Sequence, residues 1–286
     1  MNIQKNEEFE KNREFAVTPA IQPFQPLDVA KSGILAADAR REQRRVEELK
    51  AETLVFWKML EEARVDLRTA RRAKVVTMDR CDRAHVAFDI LRTNTLQEIR
   101  RNRWTSIGIT SPTPNCGTSL VALNLAFSLQ HQEDVRTVLM DMNLREPQLA
   151  HALGLPAGRG MAEFLKGGLP AEAALKRHGQ NLALGLGRGR VEYAAEVLHS
   201  ANTANSLLRL RQKLAPDVIL YDLPPALTGD EVAAFSSNLD CVLIVARAET
   251  SRLDEIDMCE RLLAEKTNVL GVVLNDCRFP AGKFGY

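Results

Sequence analysis

Several common ingredients are missing from this chain, and each absence narrows what it can be. Five cysteines (Cys81, Cys116, Cys241, Cys259, Cys277) are scattered without a C-x-x-C pair, a pattern that fits a reducing compartment rather than a disulfide framework. Net charge is almost absent, with 38 Lys and Arg against 37 Asp and Glu, so no global field marks a nucleic-acid binder. No apolar stretch approaches the ~20 residues that cross a bilayer, and the opening MNIQKNEEFEKNREF has no apolar signal region. The expected location is therefore cytoplasmic, with any inner-membrane role peripheral and through a partner. The last absence is local. SPTPNCGTS (111–119) stands where a phosphate-binding loop is expected, yet Thr118 occupies the place of that loop's lysine.

What is present suffices for a large core, since 45% of the 286 residues are hydrophobic. Residues 1–34, with Pro23, Pro26 and Gly33, read as a loose arm. Residues 35–79 read as a helical extension, with one continuous helix expected over 35–74. There Val46, Leu49, Thr53, Phe56, Leu60, Ala63, Leu67 and Ala70 alternate three and four apart, the spacing of a coiled-coil seam or of a helix lying on its own domain. Trp57 beside Phe56 is expected to be exposed and to favour a partner. Residues 80–286 read as a separate domain. Its short apolar runs, WTSIGIT (104–110), VLMD (138–141), VILYD (218–222), CVLIVA (241–246) and VLGVVLN (269–275), alternate with helical text. That alternation predicts an α/β fold with a doubly wound, mostly parallel sheet.

Ligands of such sheets sit beyond the carboxyl ends of the strands, and three of these runs end in suitable residues. After WTSIGIT the loop enters a helix, whose free N–H groups attract phosphate. Gly117 permits close backbone approach, and Ser119 stands where a hydroxyl ligand of nucleotide-bound Mg²⁺ would be. A plain strand-to-helix turn explains that loop about as well. VLMDMNLREP places Asp141, Asn143 and Arg145 at alternate positions, directed toward one pocket. VILYDLPP ends in Asp222, stiffened by Pro224 and Pro225. Cys116 at a helix start is open to two readings, an acidified redox thiol or a small inert side chain.

From Arg80 to Tyr286 the chain resembles the bacterial protein-tyrosine kinases (BY-kinases), ATPase modules of capsule and exopolysaccharide export within the P-loop class of MinD and ParA. The resemblance rests on LRTN (91–94), ITSPTP (109–114), MDMNLREP (140–147), AEFLKGG (162–168), YDLPP (221–225), LGVVLN (270–275) and the final FGY. It implies a P-loop NTPase fold binding ATP and Mg²⁺. Pro114, Asn115, Cys116, Gly117, Thr118 and Ser119 would cradle phosphates. Ser119 and Asp222 would hold the metal, Asp141 and Asp222 would be catalytic, and Tyr286 would accept phosphate.

The departures from the family pattern fall on the chemistry. PNCGTS replaces the usual PGEGKS, Asp141-x-Asn143 replaces Asp-x-Asp, and Val86, Asp89 and Arg92 stand for the Glu, Arg and Arg of a self-association helix. The tail has one tyrosine instead of a cluster. Donor, acceptor and ring assembly are thus all weakened, with Asp89 expected to be repulsive or unpaired in the usual self-contact. Arg145, Arg159 and Arg247 are the candidate substitute cations. The expected function is a catalytically impaired regulator or scaffold of exopolysaccharide synthesis or export. Its expected partner is a membrane polysaccharide co-polymerase (chain-length regulator) or a paralogous kinase. Docking is expected through the helix at 35–74 or the helix at 82–101, whose Arg100, Arg101 and Arg103 could meet acidic lipid. The alternatives are an active tyrosine autokinase, a MinD- or ParA-like positioning ATPase and a nucleotide sensor without turnover.

Overall fold

The computed structural model describes residues 29–80, 82–157 and 160–277, with side chains from Arg41 onward except Val46. The chain divides into two units, Met1–Glu48 and Leu49–Tyr286. The described part of the first, residues 29–48, is helical and belongs to α1 (Val29–Met59). Everything below concerns the second unit.

Its eight strands are β1 (Glu61–Glu62), β2 (Ser106–Thr110), β3 (Thr137–Asp141), β4 (Leu175–His178), β5 (Leu182–Gly185), β6 (Val218–Asp222), β7 (Cys241–Arg247) and β8 (Asn268–Asn275). Between β1 and β5 lie α2 (Leu67–Arg72), α3 (His85–Asn102), α4 (Thr118–Gln130), α5 (Leu149–Ala152), α6 (Met161–Leu165) and α7 (Ala171–Ala174). The later helices are α8 (Ala194–His199), α9 (Ala201–Leu214), α10 (Glu231–Phe235) and α11 (Leu253–Ala264). The strands form one sheet in the order β1-β4-β5-β3-β6-β2-β7-β8, parallel throughout except for the β4–β5 pair.

Successive strand residues point to opposite faces, and the core follows that period. Val138, Met140, Ile219, Tyr221, Val242 and Ile244 pack with Leu198, Leu207, Leu210, Phe235, Cys259 and Leu263 on one face. Ile107, Ile109, Leu139, Leu220, Leu243 and Val245 pack with Leu96 and Ile99 of α3 and Val121, Leu125 and Leu129 of α4 on the other. Strands covered on both sides need apolar residues at every position, which is why they read as unbroken apolar runs.

The helix expected over 35–74 is corrected by the structure. α1 ends at Met59, and the chain then adds β1 to the sheet beside β4. Trp57, expected at the surface, is 1% exposed, and its Nε1 donates to the Leu214 carbonyl at 2.8 Å. Leu60, Ala63 and Ala70 of the supposed seam lie in the domain core, while Leu49 and Leu67 are exposed. Asn124 of α4 anchors the next stretch. Its Oδ1 accepts from the Val76 amide at 2.8 Å, and its Nδ2 donates to the Lys74 carbonyl at 3.1 Å. Residues 60–77 are thus integral to the α/β core, because burying these side chains is worth more than continuing a solvated helix.

Candidate functional site

The carboxyl ends of β2, β3, β6, β7 and β8 converge on one loop. β2 leads through residues 111–117 into α4, whose N-cap Gly117 sits at φ 86° without a side-chain cap. The first amides of α4 therefore lack intrahelical acceptors and carry the positive end of the helix dipole. Asn115 has φ 64°, a conformation that asparagine tolerates better than most residues. At Gly117 the positive φ favours glycine, and a Cβ would press on the Asn275 amide group. The Nδ2 of that amide donates to the Cys116 carbonyl at 2.9 Å. Arg247, at the end of β7, donates through Nη1 to the Asn115 carbonyl at 3.2 Å and pairs through Nη2 with Asp276 at 2.8 Å. The Cys116 thiol is buried, donates to the Thr113 carbonyl at 3.2 Å and lies 3.4 Å from Ser251 Oγ. Burial and these contacts favour the inert reading of this cysteine, since reactive thiols need access.

Opposite the loop, Asp141 and Asp222 stand side by side at the ends of β3 and β6, in direct register. Both are fully buried. Asp141 Oδ2 accepts from the Leu149 amide at 3.1 Å. Asp141 Oδ1 and both oxygens of Asp222 have no hydrogen-bond partner among the described residues. The Ser119 hydroxyl lies near enough to Asp222 to favour its charged form, without a bond of normal geometry. Burial pushes the Asp222 carboxyl up to about 7. Burial, and then the charge of Asp222, hold Asp141 well above the usual carboxylate range. Three orphaned carboxylate oxygens beside a hydroxyl form a hard, all-oxygen donor set that fits Mg²⁺. Among the described residues no three His, Cys, Asp or Glu side chains cluster as a metal site. A cation here would need further oxygens from a bound phosphate or water.

The other expected residues separate. Asn143 does not face this pair as a free ligand, for its Oδ1 accepts from the Glu146 amide at 3.2 Å. Arg145 pairs with the buried Glu231 at the start of α10. Arg247 is engaged on the loop's carbonyl side, and Arg159 and Tyr286 lie outside the described residues. On α3, Val86 is exposed and Asp89 is paired within the chain. It accepts from Arg92 at 2.9 Å and from Ser128 at 2.7 Å, and Arg80 lies 3.5 Å away. Arg100 pairs with Asp134 at 3.7 Å and Arg101 lies 4.0 Å from Glu98. Sequence reasoning missed Asn275 and Glu231. Asn275 ends a recognised apolar run, the same signal that marked Asp141 and Asp222; nothing in the sequence marked Glu231 as buried.

Comparison with known proteins places this geometry. Over 173 residues the chain is 29% identical to the tyrosine-protein kinase ptk of Acinetobacter johnsonii, a match covering 59% of this chain and 23% of the relative. Its sequence is thus similar to those of proteins named bacterial tyrosine-protein kinases. A putative tyrosine-protein kinase in the cps region of Klebsiella pneumoniae is 26% identical over 215 residues, covering 74% of this kinase-like chain and 30% of the relative. The chain thus spans roughly a quarter of the length of the curated relatives it matches. No family model matches it. The kinase domain of Escherichia coli tyrosine kinase ETK superposes with a TM-score of 0.64 at 23% identity, covering 74% of this chain and 84% of that one. The chain therefore shares the fold of that kinase domain, a mostly parallel sheet flanked by helices. Among the described residues no helix is long and apolar enough to cross a membrane.

Proposed function

We propose that this kinase-like chain is a catalytically impaired regulator or scaffold of capsule or exopolysaccharide assembly. In this reading it acts in the cytoplasm at the inner membrane, by docking on a membrane polysaccharide co-polymerase or a paralogous kinase. The observation that carries it is the charge balance of the site. Two buried carboxylates with orphaned oxygens accompany a loop whose lysine position is Thr118, while Arg145 pairs with Glu231 and Arg247 is held by the loop's Asn115 carbonyl and by Asp276. The location of one relative in a cps region supports the pathway.

Residues 114–119 are the phosphate cradle in this reading, with the α4 amides as donors. Ser119 and Asp222 would hold Mg²⁺, which when bound neutralises charge on the phosphates. Asp141 would hold or accept a proton at its orphaned Oδ1. What the site lacks among the described residues is a fixed cation for the charge that grows on the transferred phosphoryl group. Thr118 offers a neutral hydroxyl instead. A hydrogen bond to a charged group contributes about 1.5–3 kcal/mol, so nucleotide binding should be ~10- to 150-fold weaker than with lysine. The loss should be greater in the transition state.

The test is incubation of the purified chain with ATP and Mg²⁺, followed by probing for phosphotyrosine. No signal above that of Asp222→Ala is expected. A Tyr286-dependent signal above that control would establish the active-autokinase alternative instead.

A further inference from the structure

The sheet ends on two unlike edges. β1 is two residues long, and both are exposed glutamates. Short, charged edges of that kind resist pairing with another strand. β8 closes the opposite end with eight residues, NVLGVVLN, which include no charge and no proline. A register shift interrupts its pairing with β7 near its start. From Gly271 to Asn275 the register is unbroken, and no strand covers the outer side among the described residues. Val272 and Leu274 are 47% and 58% exposed, and being two apart they share one face. α11, which packs against β7 and β8, leaves Met258 and Leu262 exposed as well.

We propose that the β8 edge is an interface between two copies of this chain, joined by antiparallel β8–β8 pairing centred on Val273. The segment is self-complementary in that register. Val272 of one copy lies opposite Leu274 of the other, and the reverse, while each Val273 meets its own symmetry mate. Opposed residues of an antiparallel pair share a face, so the two exposed apolar side chains of each copy cover those of the other. A two-fold interface requires that a surface match itself. An uncharged strand does so without setting like charges against each other, whereas β1 would oppose glutamate to glutamate. The proposal commits to a second copy for that reason: the edge offers no charge to select a different strand.

Sedimentation velocity of the full chain over a concentration series tests this. The contact is small, so a monomer–dimer equilibrium with a dissociation constant on the order of 10 µM is expected. The double variant Val272→Lys, Leu274→Lys should stay monomeric over the same range, with an unchanged circular dichroism spectrum. Hydrogen exchange on the unsubstituted chain gives a reading independent of that variant's folding. Amides of residues 271–275 should gain protection as concentration rises. A monomer at roughly tenfold above that constant, or a dimer indifferent to the lysines in a folded variant, would overturn the proposal. So would protection of β8 that ignores concentration and disappears when residues 278–286 are removed, which would make the tail its cover.

Discussion

The two sides of the candidate site, the strand ends and the loop entering α4, are built on opposite terms. On the strand side, Asp141 and Asp222 are buried in register with three oxygens unpartnered. On the loop side, the Asn115 and Cys116 carbonyls are taken by Arg247 and Asn275, the first α4 amides stay free, and the lysine position is neutral. The comparison teaches that the scaffold of a phosphate site and its charge are separable. The scaffold is set by backbone conformation, the Asn115 and Gly117 dihedrals and the free end of α4. The charge depends on one side chain that the fold does not require. Such a site holds its acidic half in a protonation-prone state, because a buried carboxylate without a cation is costly to ionise.

Four substitutions would break or sharpen this contrast. Asp222→Asn should have the largest effect, and a pH-dependent one. The folded carboxyl titrates at about 7 against an ordinary value of 3.8, so the folded state holds its proton more tightly than the unfolded chain. Stability therefore falls as pH rises between these two values and is flat above them. Asparagine should raise the unfolding free energy above neutrality by on the order of 2–4 kcal/mol, with the gain vanishing as pH approaches ~4. A stabilisation that does not change with pH would contradict the protonation account.

Thr118→Lys is next. It should strengthen ATP·Mg²⁺ binding ~10- to 150-fold in a calorimetric titration, and no gain would mean that the cradle itself is unusable. Arg145→Ala leaves Glu231 buried without its partner. Because the arginine is 46% exposed, the usual penalty is reduced, to about 1–2 kcal/mol by chemical denaturation. Arg247→Ala should cost least, ~0.5–1.5 kcal/mol, and its signature is faster amide exchange confined to residues 113–117.

Much of this organisation is legible in the residues. Most strands buried on both faces announce themselves as apolar runs, and the two aspartates at the ends of β3 and β6 follow from that placement; the equally buried β5, LALG, is too short to stand out and is missed. β4, with the sequence LKRH, and β1, with two glutamates, escape because edge and near-edge strands need no apolar period. The end of α1 at Met59 escapes for another reason. No glycine or proline stops the helix; the pull of Trp57 and Leu60 into the core and the pairing of β1 with β4 do. At the site, residue types show which cation is missing, but the occupations of Arg145, Arg247 and Asn275 are set by contacts between distant segments. Asp89 shows the same limit, since its partner Ser128 lies 39 residues away.

The central claim is that this loop holds nucleotide poorly for want of a positive charge. Isothermal titration of the unsubstituted chain with ATP and Mg²⁺ tests it most directly. The account predicts millimolar binding or none. Micromolar binding, especially if Arg145→Ala or Arg247→Ala abolishes it, would show that a guanidinium fills the place of the missing lysine and would contradict the account.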